Sequence, residues 1–407
     1  MINKHNQKDI IIRKNCICNN KLSQEINFGS LPLINNYKTK KNLKKYPVTI
    51  CQCKDCLLIQ LKYSVSDKLL FPNNYSYLSG NSKEKINNFE SIIKKIKKLS
   101  RTKNPKILDI GCNDGSFLGL AKKIYPKILG IEPTNTAKIA IKKGINTIQK
   151  SLNSKLAKKI LKKYSKFDFI VATNFFAQTN NLEEVLKSIK LILNKEGILI
   201  VEVQYLYDLL LQKGFDSFHH EHIAYYTASS ITKVLKKHKL YVFDAEKIKV
   251  HGGILRVYVS LNKKPFSKNL KKILNSENDK NIINRVKNLN LFRIKFNNKM
   301  KKLFINLKKK RVYGMGAAPR ACVMLNSCGL TNKEISLVGE LPQSLKCNKY
   351  VPGTDIMVKN ENKIIIDKPD YVIIIAWRYH EKIISKHQKF LDEGGHFIIP
   401  LPELKII

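Results

Sequence analysis

Four short apolar runs punctuate the middle of the chain: KILDI at 106–110, KILGI at 127–131, FDFIVAT at 167–173 and GILIVEV at 197–203. Before and between them lie segments whose apolar residues fall three and four apart, as in SKEKINNFESIIKKIKKLS and LEEVLKSIKLIL. Short apolar strands alternating with amphipathic helices predict a parallel sheet covered on both faces. Residues 265–310 lack strand alternation and read as helices bridging two domains. KRVYGMGAAPRACVMLNSCGL then repeats the strand, glycine turn, helix order, and ISLVGE, YVIIIAWRY and GGHFIIPLP supply further strands. The first 70 residues are short on such patterning and rich in cysteine. The expected fold class is therefore α/β in three parts: an N-terminal module at 1–70, an α/β domain at 71–262, and a helical bridge with a second Rossmann-like α/β domain at 263–407.

No run of 18 apolar residues occurs, so no membrane span is expected. The opening residues carry no apolar core of signal-peptide length, which makes a cytoplasmic location the expectation. The formal net charge of +44 raises the question of nucleic acid. Only 8 of the 75 basic residues are arginine, and the lysines are scattered among Asn and Ile. All three residue types have A/T-rich codons, so genome composition accounts for the charge better than a phosphate-tracking groove does. Nucleic acid is not expected as a partner, and a basic zinc-containing nucleic-acid-binding protein remains the rival from a different class.

Five of the nine cysteines precede residue 57, in two tight groups. Cys53-x-x-Cys56 lets one turn aim two thiolates at a tetrahedral zinc. Cys16 and Cys18 form the partner pair, with Cys51 as the alternative ligand. Four thiolates close the coordination sphere, so the zinc would be structural.

LDIGCNDGSF places Asp109, Gly111, Asn113, Asp114 and Gly115 directly after a strand. Glycine lets the backbone approach a ligand closely. The third glycine of the dinucleotide fingerprint is missing. Glu132 ends the next strand, where a carboxylate can accept both hydroxyls of a ribose. Turn chemistry alone would also favour Asn113 and Asp114.

The run ILDIGCNDGSFL followed by GIEP resembles class I S-adenosylmethionine-dependent methyltransferases. The segments LPLINNY with YPVTICQCKDCLLIQL, YSYLSGNS, FDSFHHEHIAYYT, VHGGILRVYV, YGMGAAPRACVMLNSCG, VPGTDIMV and GGHFIIPLP occur in the order seen in the three-domain sugar C-methyltransferases. The resemblance spans nearly the whole chain. It implies a zinc-binding segment, a methyltransferase core and a C-terminal nucleotide-sugar-binding domain. It also implies S-adenosylmethionine contacts at Tyr75, Ser79, Gly111, Asn113, Asp114 and Glu132, with Asn174 at the strand mouth.

HHEH at 219–222 holds three of the nine histidines around a carboxylate. Methylating a sugar carbon requires removal of a proton beside a carbonyl and support for the enolate oxygen. By the resemblance, the family's active-site motif falls on His220, Glu221 and His222. His222 is expected to be the base, with Glu221 orienting it or sharing the task, and His220 or Tyr226 to steady the oxygen. Two departures stand out: His219 where relatives commonly carry tyrosine, and Gln178 where they often carry histidine. Successive residues of a strand or helix point different ways, so only part of HHEH is expected to face one pocket.

Gly316 and Arg320 open the second glycine turn and its helix, a place suited to phosphate. Arg256, Trp377 and Arg378 complete the expected substrate-binding residues. The function expected is methylation at carbon of a nucleotide-linked ketosugar, for a surface polysaccharide or secondary metabolite, and a homo-oligomer is left open. An O- or N-methyltransferase on the same scaffold is the nearest rival.

Overall fold

The structure is a computed structural model and describes residues 9–41, 43–72, 75, 77–250, 252–277 and 279–407. Ser76 and His251, which belong to two of the recognised segments, lie outside the described residues.

The central sheet has seven strands in the spatial order Tyr241–Ile248, Ile254–Ser260, Leu193–Gln204, Phe167–Thr173, Ile107–Ile110, Ile128–Ile131 and Thr147–Ile148. Ile254–Ser260 runs antiparallel to both neighbours, and the remaining pairs are parallel. This is the class I methyltransferase topology. Its inner strands are buried on both faces, which is why they read as unbroken apolar runs. The helix Lys83–Leu99 starts at Ser82, whose side chain accepts the Lys85 N–H, and it buries Phe89, Ile92, Ile93 and Ile96 against the sheet.

Arg256 was expected near substrate, and the structure corrects this. Glu202, Arg256 and Glu246 sit side by side on three adjacent strands. The Arg256 guanidinium donates to Glu202 at 2.8 Å, Glu246 at 3.1 Å, the Asn88 amide oxygen at 2.7 Å and Ser91 at 2.8 Å. A fully buried charge needs such satisfaction, and here the need is met entirely by the sheet and the helix packed on it.

The N-terminal module is a meander of Leu22–Leu31, Tyr46–Cys53 and Ile59–Leu61. Its fourth strand, Ala224–Tyr225, comes from the central domain and pairs antiparallel with Ile59 and Gln60. The Leu61 N–H also donates to the Ile223 carbonyl at 2.9 Å. The histidine-rich segment is thus built onto the module's sheet, an arrangement that period and spacing did not reveal.

Helices Lys268–Ser276 and Ile282–Asn306 form the expected bridge. The C-terminal sheet runs in the order Met357–Asn360, Leu337–Glu340, Val312–Met315, Tyr371–Ile374, His396–Ile399 and Lys405–Ile406, parallel except for the last strand. This is the Rossmann-like order, with its switch point between Val312–Met315 and Tyr371–Ile374. One apolar core runs continuously from the module through the central sheet to this second sheet. Among the described residues no helix is long and apolar enough to cross a membrane.

Candidate active site

Both sheets turn their switch points toward a single cavity of about 590 Å³. On the central sheet this point lies between Ile107–Ile110 and Phe167–Thr173. There Gly111 and Asn113 follow the first strand and Asn174 the second, and all three line the cavity. Gly111 has φ +74°, and a Cβ on it would meet the Phe175 ring at 3.0 Å. A side chain there would crowd Phe175 and strain a left-handed backbone, so glycine keeps this turn. Glu132 holds its carboxylate in place by accepting the Asn113 N–H at 3.0 Å and the Thr134 N–H at 2.8 Å. Its remaining lone pairs are available to a diol.

Asp109 lines the cavity floor with its Oδ1 buried and without a hydrogen-bond partner. Burial, aided by the neighbouring Glu132 charge, pushes its carboxyl up to about 8. Ser79 is brought in by the glycine turn itself: its N–H donates to Asn113 at 2.9 Å and its hydroxyl to Asp114 at 2.8 Å. Asp114 and Gly115 were expected to contact the cofactor, but neither reaches the cavity wall. Asp114 clamps Ser79 and Gly80, and it pairs with Lys143 at 3.3 Å. Gly115 caps the following helix at φ +73°, with Ala140 packed so close that a Cβ would lie 2.8 Å from it.

Residues 219–222 form a turn, with the His222 N–H donating to the His219 carbonyl at 3.0 Å. A turn follows neither the strand nor the helix period, so His219, Glu221 and His222 all line the cavity. His220 points the other way, its ring nitrogen 3.2 Å from the Pro47 carbonyl and its edge against Tyr46. Tyr226 is buried behind the wall and donates to the Phe176 carbonyl at 3.3 Å. The structure therefore removes His220 and Tyr226 from the reacting surface and places His219 there. Gln178 lines it as well.

Glu221 takes its hydrogen bonds from outside the motif. The Asn35 amide donates to Oε1 at 2.7 Å and the Tyr75 hydroxyl to Oε2 at 3.4 Å. Burial raises the Glu221 carboxyl to about 7 despite these two donors. Burial and the Arg320 charge lower His222 to about 4, and burial holds His219 well below the ordinary imidazole value. Burial thus favours the uncharged form of both histidines and raises the Glu221 carboxyl toward neutrality, which inverts the usual order of basicity.

Arg320 enters at the start of the helix Pro319–Cys328. Gly316, an expected ligand contact, lies behind it: its φ of +90° lets the backbone pass against Ala376. Arg378 stacks on Trp377, 4.0 Å from the ring centroid. Trp377 donates to Asp216 at 2.8 Å, and Arg378 lies 3.6 Å from the same carboxylate. Asp216 and Asn35 are cavity residues that sequence reasoning missed. Asn35 stands inside the recognised LPLINNY segment, but nothing in its spacing marks it as facing a carboxylate.

Away from this cavity, Cys16, Cys18, Cys53 and Cys56 converge in the module. Their sulfurs all lie within 4.8 Å of one another, with Cys16–Cys56 at 3.6 Å and Cys18–Cys53 at 3.4 Å. Zinc–thiolate bonds of about 2.3 Å set tetrahedral edges near ~3.8 Å, so the four sulfurs fit one zinc. Cys51 stands outside the cluster, which resolves the alternative left by its spacing.

Three family models match the chain in order: "Putative zinc binding domain" at residues 16–71, "Methyltransferase domain" at 85–244 and "C-methyltransferase C-terminal domain" at 249–402. The chain is similar to the C-methyltransferase NovU of Streptomyces niveus, at 26% identity over 394 residues, covering 94% of this chain and 93% of that protein. Among solved structures, magnesium protoporphyrin IX methyltransferase of Synechocystis PCC 6803 aligns at 12% identity and a TM-score of 0.35, over 43% of this chain and 83% of that one. An S-adenosylmethionine-dependent methyltransferase of Clostridium acetobutylicum aligns at 16% identity and 0.34, over 48% and 96%. S-adenosylmethionine presents an ammonium and a vicinal diol. The unpartnered Asp109 oxygen and the amide-held Glu132 carboxylate suit those two groups.

Proposed function

Since the chain is an S-adenosylmethionine-dependent methyltransferase with the three matched parts of the C-methyltransferases, we propose that it methylates a carbon of a nucleotide-linked ketosugar. One observation carries the reading: a single cavity joins the cofactor end of the central sheet, a buried carboxylate poised near neutrality, and two arginines at the switch point of the second sheet. The name of the Streptomyces relative supports the carbon acceptor.

When bound, S-adenosylmethionine supplies an electrophilic methyl group. Asp109, Glu132, Asn174 and the Gly111 turn would hold it. Arg320 and the stacked Arg378 hold the phosphates of the nucleotide sugar through charge-assisted bonds. Glu221 takes the proton from the carbon beside the ketone. Its conjugate acid near 7 is matched to the operating pH, as an efficient general base requires. His222, neutral at that pH, donates its ring N–H to the oxygen on which negative charge develops. This exchanges the roles expected from sequence, because burial weakens the imidazole as a base and strengthens the carboxylate.

The experiment is exchange in heavy water. A nucleotide-linked ketosugar incubated with the enzyme and no cofactor should gain deuterium beside the carbonyl. An O- or N-methyltransferase on this scaffold would need no carbon deprotonation and would show none. The rate should also rise with pH along a limb centred near 7, where Glu221 ionises.

Arg320→Ala tests the phosphate end. Losing a charge-assisted bond costs about 1.5–3 kcal/mol, so the sugar KM should rise at least about tenfold. S-adenosylmethionine affinity, measured by calorimetry, should stay unchanged. An unaltered KM removes Arg320 from the substrate site.

A further inference from the structure

Glu221 belongs to the central domain, yet the donor nearest to it comes from the N-terminal module. Asn35 follows the strand Leu22–Leu31 and lines the cavity together with Ile34. Its amide lies 2.7 Å from Glu221 Oε1. A carboxylate can only accept, so the N–H side of the amide must face it. The backbone around this contact is anchored on both sides. Tyr37, two residues on, donates to the Ala317 carbonyl at 3.0 Å in the C-terminal domain. On the other side, Ala224–Tyr225 is paired into the module's own sheet.

We propose that Asn35 is a positioning residue for the reaction, a donor supplied by the N-terminal module that fixes the Glu221 carboxylate in the orientation from which it removes the proton. The module then completes the active site as well as bracing it. This inference rests on the assignment of Glu221 as the base. The other groups acting on Glu221 come from separate elements. Tyr75 donates to its second oxygen, the Lys346 charge favours its ionised form, and the Cys322 thiol of the C-terminal helix lies within electrostatic reach. Arg320, His219 and His222 share the cavity wall. Of these, only Asn35 and Tyr75 bond the carboxylate directly, and the Asn35 contact is the shorter by a wide margin.

The test is the pH profile of kcat/KM in the full-length, zinc-loaded enzyme with two variants. Asn35→Asp is nearly isosteric and sets a second carboxylate against the first, so the pair must share a proton. Its limb should move upward from near 7, and turnover at neutral pH should fall at least about tenfold. Asn35→Ala removes the donor without adding charge, and should also shift the limb upward, by less. Zinc content and S-adenosylmethionine affinity should match the unmodified enzyme in both, which separates positioning from a folding defect. Suppose the unmodified limb near 7 disappears in Glu221→Gln, but neither Asn35 variant moves the limb or turnover. Asn35 is then not a positioning residue, and the base assignment stands. If Glu221→Gln retains the limb, the base assignment fails and the role proposed for Asn35 fails with it.

Discussion

Glu221→Gln is expected to lower methylation by about a hundredfold to ten-thousandfold, the range that a positioned general base supplies. The substitution keeps the side chain's shape and leaves an acceptor for the Asn35 amide, so the turn at 219–222 should persist. It removes the wall carboxyl that burial raises to about 7 and leaves Asp109, at the cofactor end of the cavity, as another group raised toward this range. Deuterium exchange into the sugar should therefore stop together with methylation. His222→Asn is the informative companion. An amide can donate a hydrogen bond but cannot take up a proton in this range, so it preserves the role assigned to His222 and abolishes the role expected from sequence. Exchange should survive in His222→Asn, with the limb still near 7. Exchange lost in His222→Asn and kept in Glu221→Gln would return the base to histidine.

Stripping zinc, or replacing Cys53 with serine, should unfold the N-terminal module and abolish activity. Four convergent thiolates bind the module's two cysteine pairs to one point, and structural zinc sites contribute about 10–16 kcal/mol of folding free energy in small domains. Metal analysis should return about one zinc per chain. Backbone amides of Tyr46–Cys53 and Ile59–Leu61 should lose protection from hydrogen exchange, while Ile107–Ile110 and Phe167–Thr173 keep theirs. Activity should fall with the module because Asn35 and the pairing partner of Ala224–Tyr225 both belong to it. A fully folded, metal-free protein would refute the structural role.

The parts of this molecule that were legible from sequence are those in which local chemistry dictates the outcome. Gly111 needs a positive φ, and the cysteine pairs can aim at one point only from tight turns. The doubly buried strands announced the parallel sheets through their unbroken apolar runs. What stayed hidden depends on contacts between residues far apart in the chain. Arg256 has the look of a ligand-binding arginine until Glu202 and Glu246 are seen on either side of it. Periodicity could not orient HHEH, because a turn has no period. The relative basicity of Glu221 and His222 follows from burial by three units together, which no single segment contains.

The shared strand pair has a consequence for how the chain is made. Ile59–Leu61 emerges from the ribosome roughly 160 residues before the Ala224–Tyr225 segment that covers its edge. At about 5–20 residues per second, that edge stays open for roughly 8–30 s of synthesis. An uncovered strand edge is a template for pairing with another chain. Polysomes, where nascent copies sit side by side at the same stage, are thus where this protein is most exposed to misassembly. All four cysteines of the cluster precede Ala224–Tyr225 in the chain, so zinc can be captured while the edge still waits for its partner.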